Sequence, residues 1–356
     1  MIVLHFICRD KFTSGYIDFM ELAFPTYEHY FVTAKSDVPL ECVDSAKVIY
    51  FNRSRKELYC GDLKKLLDLA DKIIISGIWG MGRLFAFVSR NVKAKIYLHF
   101  WGGDFYCFRN KISIFDCRSY IDKYFQLKLI KECNSLIFLI VGEQKVFEDI
   151  VGIKKRSFIA PMMGNPFKQP KVFELANEAK DSKTFNILVG NSATETNHHI
   201  EIFQKLAQKN FSNVRIICPL SYGNDDNYRQ KVLEYGYRVF GKSFQPILNF
   251  MKYDEYMKLL STCDIGIFNC DRQQALGNIY SMLKMGKTIY LRQGTSMWNY
   301  FKQYGISVRD VDEIDNLSKN ELVNGDIVCY KKNVESIKKL TSVEYGVQCW
   351  DKVFQS

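Results

Sequence analysis

The sequence predicts two α/β domains, each built on a doubly wound parallel sheet. Short runs rich in β-branched residues recur along the 356-residue chain, longer amphipathic stretches separate them, and one break divides the chain into two similar series. Helices cover both faces of parallel sheets, so such strands are apolar throughout. We expect a first domain at 1–165 and a second at 166–356, facing a central cleft, with the last helix packing back on the first domain.

The first half contains five buried-strand patterns and two helical ones. In the helix predicted at 61–70, Leu63, Leu66, Leu67 and Ala70 fall on one face, and a second helix is predicted at 116–132. The amino-terminal run lacks the basic residues of a signal peptide and is read as a strand. The predicted strands are 2–8, 47–51, 72–76, 95–100 and 135–141.

The second half repeats this pattern after a break at 161–167 and a polar stretch at 176–183, which we interpret as the linker. Ligands of doubly wound sheets bind at the carboxyl ends of the strands, so the loops after each strand are the candidate sites. The predicted strands are 185–189, 214–218, 265–269 and 288–291, and the predicted helices are 198–209, 227–235, 253–261 and 274–285.

Composition narrows the classes of partner. The formal charge is +10 and aromatic residues make up 15%, which suits nucleic acid, an anionic small molecule or an anionic membrane surface. Basic residues are spread almost evenly over both halves and no nucleic-acid recognition motif occurs, so we expect no nucleic-acid partner. The 11 cysteines form no CxxC pair, which argues against a zinc ribbon or a disulfide framework, and no apolar run is long enough to span a membrane.

Residues 188–199 carry the clearest local signal. A buried strand ends at Gly190, polar Asn191 and Ser192 follow, and Thr196 or Asn197 is expected to cap the next helix. The positive end of that helix suits a phosphate or diphosphate, whereas an ordinary capped loop is the alternative. Neither a Walker A motif nor a GxGxxG fingerprint is present.

A second polar loop follows the strand predicted at 265–269. Arg272 offers a guanidinium fork suited to a diphosphate, while Gln273 and Gln274 can bind sugar hydroxyls or a base edge. We favour ligand binding here over a solvated loop.

In the first half, a glycine pair follows the strand predicted at 95–100. His99 and Trp101 precede Gly102 and Gly103, and Asp104 follows them. Asp104 is a candidate general base if its environment raises its pKa, and capping of a turn is an equal alternative. His99 is a candidate catalytic group, although a hydrogen-bonded core histidine is favoured.

No metal or cofactor is expected. Asp310 and Asp312 match a DxD motif in letters only and are read as a solvated turn, and the His198-His199 pair lacks the spaced partners of a zinc site. The loop at 76–82, which contains Trp79, is expected to line the same cleft as the glycine pair.

Several of these motifs occur in an order that resembles glycosyltransferase family 56, bacterial enzymes that move 4-acetamido-4,6-dideoxygalactose from dTDP to lipid II of enterobacterial common antigen. The resemblance extends from the amino-terminal strand to Trp350. Its motifs are HxWGxD at 99–104, ILVGNS at 187–192 with Asn197, Pro219 with Tyr222, the stretch from Tyr256 to Gly266, and RQQxxG at 272–277.

The resemblance implies a GT-B fold, a nucleotide-sugar donor on the carboxyl-terminal domain and a polyprenyl-diphosphate-linked glycan acceptor on the amino-terminal one. Asp104 would be the catalytic base, with His99 as the second catalytic candidate. The donor residues would be Gly190, Asn191, Ser192, Asn197, Tyr222, Arg272, Gln273, Gln274 and Gly277, and the acceptor residues Trp79, Trp101, Gly102 and Gly103.

Many GT-B enzymes carry a ribose-binding Glu where this chain has Ser281, which favours a dTDP-sugar and leaves a UDP-sugar open. The acceptor pathway stays open between common antigen, O-antigen and capsule. Aromatic and basic residues interleave at 105–131, so we expect peripheral contact with the cytoplasmic face of the bacterial inner membrane. The alternatives are a GT-B sugar-nucleotide epimerase and a non-enzymatic polysaccharide- or nucleic-acid-binding protein.

Overall fold

The computed structural model describes residues 1–36, 40–109, 116–164, 184–209, 211, 213–223, 225–323 and 327–356. The strands are β1 Ile2–Phe6, β2 Glu28–Thr33, β3 Lys47–Tyr50, β4 Lys72–Ser76, β5 Ile96–Phe100, β6 Ser135–Phe138, β7 Ser157–Ile159, β8 Phe185–Val189, β9 Val214–Pro219, β10 Phe244–Ile247, β11 Ile265–Phe268, β12 Thr288–Leu291 and β13 Arg309–Asp310.

Helices connect most of these strands, and short 3-10 turns at Cys107–Arg109, Glu195–Asn197, Gly241–Ser243 and Val311–Asn316 supplement them. The helices are α1 Thr13–Ala23, α2 Arg55–Tyr59, α3 Asp62–Leu69, α4 Met81–Leu84, α5 Arg90–Lys93, α6 Gly103–Tyr106, α7 Cys117–Glu132, α8 Glu143–Val151, α9 His199–Ala207, α10 Asp226–Phe240, α11 Tyr253–Thr262, α12 Leu276–Lys284, α13 Ser296–Gln303, α14 Lys319–Val323, α15 Ile327–Leu340 and α16 Val343–Phe354.

Two parallel sheets organise the chain. The first has the order β3-β2-β1-β4-β5-β6-β7 and the second β10-β9-β8-β11-β12-β13, and the paired strands run parallel in both. Each order reverses once, between β1 and β4 and between β8 and β11, which is the doubly wound topology. The predicted fold class is confirmed.

The chain divides into two compact units, residues 1–169 with 342–356, and residues 170–341. The first division lies four residues beyond the predicted boundary at 165/166. The second domain was expected at 166–356 with its last helix packing back on the first, and the second unit ends at residue 341, with the last helix, α16, in the first unit. There Trp350 is fully buried and its indole N–H donates to the Pro161 carbonyl at 3.0 Å. The polar stretch predicted at 176–183 lies outside the described residues.

The first sheet is covered by apolar side chains on both faces. Leu4 and Phe6 of β1 point into one hydrophobic cluster, while Val3 and Ile7 lie in another. The apolar runs that predicted buried strands therefore reflect two-sided packing. No disulfide joins the cysteines whose side chains the structure describes, and none of the helices described here has both the length and the apolar character needed to cross a membrane.

Buried histidines form a hydrogen-bonded chain in the first unit. His29 Nε2 donates to the Phe24 carbonyl at 3.3 Å, which leaves His29 Nδ1 to accept from His5 Nε2 at 2.9 Å. His5 Nδ1 then accepts from the Tyr16 hydroxyl at 2.9 Å. Because a carbonyl only accepts, His29 Nε2 carries a proton, and with both imidazoles neutral every hydrogen bond in this chain has one donor and one acceptor.

Burial lowers the pKa of four histidines. The pKa of His5 lies well below 6.5, that of His29 is about 4, and those of His99 and His199 are about 3, with desolvation the largest cause in each. The unfolded chain takes up these protons near pH 6.5 and the folded chain does not. Stability from these groups is therefore fully present above pH 6.5 and is lost as the pH falls toward the folded pKa values.

We predict that His29→Gln makes stability less sensitive to acid. Between pH 6 and 4.5, the free energy of unfolding should change about 1.4 kcal/mol less per pH unit than in the wild type, since one depressed histidine has been removed. Urea unfolding at several pH values measures this slope. His198→Gln is the matched control because His198 is partly exposed. Equal slopes for His29→Gln and the wild type would contradict the assignment.

Candidate functional site

The turn after β8 lies beside β11 at the carboxyl edge of the second sheet. The Gly190 N–H donates to the Ile267 carbonyl at 2.9 Å. Gly190 has φ +69°, and a Cβ there would stand 2.2 Å from His199 Nε2. Only glycine satisfies both the left-handed backbone and this close approach.

Asn197 holds the loop after Gly190 in shape. Its buried side chain accepts the Asn191 N–H at 3.1 Å through Oδ1, and Nδ2 donates to the Ser192 carbonyl at 3.0 Å and to Thr194 Oγ1 at 2.9 Å. These bonds satisfy the carboxamide within the protein. The geometry therefore makes Asn197 a positioning residue for Asn191 and Ser192, whereas the sequence analysis named it among the donor-binding residues.

The predicted helix cap is wrong. Helix α9 begins after His198, which has φ +49° and makes no capping side-chain hydrogen bond, while Thr196 and Asn197 lie in the preceding 3-10 turn. The reason is that the loop inserts this extra turn before the helix. Thr196 instead donates its hydroxyl proton to Gln274 Oε1 at 2.8 Å.

Gln274 joins the two predicted donor loops. Besides the bond from Thr196, its Nε2 donates to Asn191 Oδ1 at 3.2 Å and to Cys270 Sγ at 3.1 Å. The next residue, Ala275, has φ +61°, a left-handed conformation that non-glycine residues rarely adopt. The loops after β8 and β11 thus form one connected polar cluster.

Arg272 and Gln273 lie on the same loop. Arg272 is partly exposed and uses Nη1 to donate to the Gln273 carbonyl at 3.3 Å. The Gln273 side chain is buried, yet its Oε1 has no hydrogen-bond partner among the described residues. The guanidinium fork can bind an anion from this position, and the Gln273 oxygen can accept a hydrogen bond from a ligand.

Tyr222 and Gly277 lie at the margin of this cluster. The Tyr222 ring is 65% exposed, and its carbonyl accepts the Ala193 N–H at 2.6 Å, so the loop after β9 contacts the loop after β8. Gly277 is exposed in the first turn of α12, and a Cβ there would meet no atom within 4 Å. Nothing in the surrounding packing requires glycine at 277.

Sequence reasoning missed Asn269 and Ser296. Asn269 directly follows β11 and is 1% exposed, and Ser296 opens α13 after β12. Asn269 Nδ2 and Oδ1 and the Ser296 hydroxyl all lack hydrogen-bond partners in the described part of the chain. The signal in the sequence was an amide side chain at the end of an apolar run. Asn269 was counted as the last residue of the predicted strand 265–269 and not as part of the loop that follows.

Asp104 is fully buried in the first unit. Its carboxylate accepts the Trp101 N–H at 3.0 and 3.2 Å across Gly102, whose φ is +96°. Desolvation raises the pKa of Asp104 to about 7, and nearby Glu143 raises it further, while the hydrogen bond from Trp101 opposes the shift. The geometry shows the turn-holding contact, and a pKa near neutrality suits a general base.

His99 lies in the core with both ring nitrogens hydrogen-bonded. Nε2 donates to the Ala160 carbonyl at 3.2 Å, and Nδ1 accepts from the Ser76 hydroxyl at 3.3 Å. Burial lowers the pKa of His99 to about 3, and its ring meets the Trp350 ring edge-on at 5.2 Å. This is the hydrogen-bonded core histidine that the sequence analysis favoured over the catalytic candidate, and both ring nitrogens are occupied within the protein.

The predicted acceptor residues lie at neighbouring strand ends. A backbone hydrogen bond from Ile78, in the loop after β4, lowers the pKa of Asp104, in the loop after β5. In the first loop Trp79 is 42% exposed, and in the second the Trp101 ring meets Phe12 edge-on at 6.3 Å. Gly102 precedes α6 and Gly103 begins it.

Metal-ligating side chains do not cluster in the described part of the chain, where no three His, Cys, Asp or Glu groups could together hold an ion. Asp310 caps the 3-10 turn Val311–Asn316 by accepting the Asp312 N–H, as expected of a turn. The donor candidates all belong to the second unit, and the acceptor and catalytic candidates to the first.

Two doubly wound units with polar loops at the strand ends define a GT-B glycosyltransferase fold, and solved structures of this fold match the whole chain. A glycosyltransferase from Rickettsia africae matches with a TM-score of 0.68 at 13% identity over 99% of this chain and 97% of that one. Sucrose-phosphate synthase from Thermosynechococcus elongatus has a TM-score of 0.70 at 10% identity over 100% and 98%. E. coli trehalose-6-phosphate bound with UDP-2-fluoro glucose has 0.66 at 12% over 100% and 99%.

The chain belongs to glycosyltransferase group 56, a family described as 4-alpha-L-fucosyltransferase, which it matches over residues 18–337. The protein is therefore a glycosyltransferase, and the resemblance inferred from its motifs is confirmed. The family favours the transferase over the epimerase and the non-enzymatic binder.

We predict that Asp104→Asn separates the two roles of this carboxylate. An Asn side chain can still accept the Trp101 N–H but cannot take a proton, so kcat should fall about 100-fold or more with little change in thermal stability. In the wild type, kcat should rise with pH through an apparent pKa near 7. Initial rates from pH 5.5 to 8.5 measure both. If Asp104→Asn keeps the kcat of the wild type, Asp104 is not the catalytic base and serves only to hold the turn.

Proposed function

We propose that this glycosyltransferase moves a hexose, with 4-acetamido-4,6-dideoxygalactose as the first candidate, from a dTDP- or UDP-sugar to a polyprenyl-diphosphate-linked glycan. The reaction belongs to bacterial surface polysaccharide assembly, in enterobacterial common antigen, O-antigen or capsule synthesis. It requires neither a metal nor a cofactor. The observation that carries the donor assignment is the polar cluster in which Gln274 joins the loops after β8 and β11.

This cluster offers what a nucleotide diphosphate sugar needs. The Arg272 guanidinium supplies charge and a planar donor fork for phosphate oxygens, and the Gly190 turn holds the loop with Asn191 and Ser192 beside β11. The E. coli protein of the same fold is bound with UDP-2-fluoro glucose, which supports a nucleotide sugar for this chain. Ser281, in α12, replaces a ribose-binding Glu and favours the deoxyribose of dTDP.

The acceptor assignment places a lipid-linked glycan on the first unit, at the cytoplasmic face of the inner membrane. Helix α7 exposes Tyr120, Ile121 and Tyr124, and Phe87 is exposed beside Phe125 of the same helix. Arg118 is also exposed, so the surface combines aromatic rings with positive charge. This composition suits peripheral contact with anionic lipid, where the rings lie at the headgroup level.

We predict that Arg272→Ala weakens nucleotide binding about 10- to 100-fold, because a charge-assisted hydrogen bond to phosphate is lost. The measurement is a thermal-shift titration with UDP, dTDP and GDP, since a ligand bound by the native state raises the melting temperature. Arg238→Ala is the matched control, because that guanidinium lies over the Tyr235 ring on α10. Failure of all three nucleotides to shift the wild type would overturn the donor assignment.

We predict that the double change Tyr120→Ser and Tyr124→Ser reduces membrane binding. Flotation with vesicles of phosphatidylethanolamine and phosphatidylglycerol should recover the wild type in the lipid fraction and leave most of the variant below it. Tyr237→Ser, on the second unit, is the control for loss of an exposed tyrosine. Equal flotation of the wild type and the double variant would show that α7 is not the surface that contacts the membrane.

A further inference from the structure

Asn269 carries a buried carboxamide that the described protein leaves unsatisfied. The side chain is 1% exposed, and neither Nδ2 nor Oδ1 has a hydrogen-bond partner among the residues described. A buried amide without partners loses its hydrogen bonds to water and gains none in return. Natural proteins satisfy most such groups, so a doubly unpaired amide indicates that something other than the described residues completes it.

The register of the sheet places Asn269 within the donor cluster. In β11, Ile267 lies opposite Val189 of β8, and Phe268 lies opposite Leu291 of β12. Asn269 is the next residue, so it leaves the sheet between the Gly190 turn and the end of β12. The adjacent Cys270 Sγ accepts from Gln274, which ties this position to the joined loops.

The unpaired atoms define the chemistry of the missing partner. Asn269 Oδ1 and Gln273 Oε1 are both buried acceptors, and each needs a hydrogen donor. A fully ionised diphosphate carries no hydrogen to donate, whereas the hydroxyl or amide groups of a sugar do. Asn269 Nδ2 also needs an acceptor, which a sugar oxygen provides.

We propose that Asn269, together with Gln273, hydrogen-bonds the glycosyl group of the donor and so discriminates among donor sugars. This assignment rests on the proposed donor site and assigns the sugar to a residue that the sequence motifs do not include. A site whose buried polar groups require a partner rejects ligands that lack one much more strongly than an apolar pocket does. Arg272 then binds the diphosphate and the two amides bind the sugar.

The first test compares two buried asparagines. Asn269→Leu removes an unpaired amide and keeps its approximate shape, so the melting temperature of the unliganded protein should stay the same or rise. Asn333→Leu is the matched control, because Asn333 is 3% exposed and bonds the Ser307 N–H at 2.7 Å and the Ser307 carbonyl at 2.8 Å. Asn333→Leu should lower the melting temperature. An equal loss in both variants would make Asn269 a structural residue and overturn the proposal.

The second test separates sugar from nucleotide. Binding of UDP, dTDP, UDP-glucose, UDP-N-acetylglucosamine and dTDP-glucose is measured for the wild type and Asn269→Leu. The variant should lose about tenfold or more in affinity for the best nucleotide sugar and less than about twofold for the matching nucleotide. Equal losses of affinity for the nucleotide sugar and the nucleotide would mean that the Asn269 amide binds the nucleotide. No loss of affinity for either would mean that a trapped water, and not the ligand, completes the hydrogen bonds of the amide. Either result overturns the proposal.

The two tests also distinguish this proposal from the donor assignment beneath it. If no nucleotide or nucleotide sugar binds the wild type, the proposed function fails, while the comparison of Asn269→Leu with Asn333→Leu still reports whether the amide is unsatisfied. If nucleotide sugars bind and Asn269→Leu binds them equally well, the donor site stands and the role of Asn269 is wrong.

Discussion

The structure depends on a constraint of parallel sheets. Strands that are covered on both faces keep their backbone N–H and C=O groups paired only as far as the ends of the strands. Within the sheet, peptide groups of the inner strands bond to neighbouring strands, but beyond the last paired residue they have no such partner. Side chains therefore take over at the carboxyl edges. Asn197 satisfies the backbone of the loop after β8, and the Asp104 carboxylate accepts the Trp101 N–H after β5. The same edges carry the candidate sites, because there the loops after the strands bring polar groups out of the packed layers.

At the carboxyl edge of the second sheet, several features that disfavour folding occur close together. His198 and Ala275 precede α9 and α12 in left-handed conformations that cost non-glycine residues about 1–2 kcal/mol each, and Asn269 has an unsatisfied amide close by. Such costs concentrate where a geometry serves a ligand better than it serves stability. In the first unit, by contrast, the buried polar groups from Tyr16 through His5 to His29 form one continuous hydrogen-bonded chain.

Uninterrupted apolar runs predicted β4, β8 and β12 with their observed limits, because both faces of a buried strand exclude polar residues. Strands β2 and β10 were missed. Strand β2 begins with Glu28 and His29, and β10 contains Pro246 at the sheet edge, so neither has the apolar pattern of a central strand. The helix expected from residue 274 begins at Leu276. Gln274 lies in the loop before it, where its side chain hydrogen-bonds Asn191, 83 residues away.

The sequence by itself determined the fold class, the doubling of the architecture, the family and the loops that carry polar side chains. All of these follow from local periodicity and from motif order, which neighbouring residues specify. The tertiary structure alone decided what each polar group does. Packing placed His99 between Ser76 and Ala160, turned Asn197 inward and left Asn269 unpaired. Those outcomes depend on which distant residues supply hydrogen-bond partners and exclude water, and local sequence does not specify either.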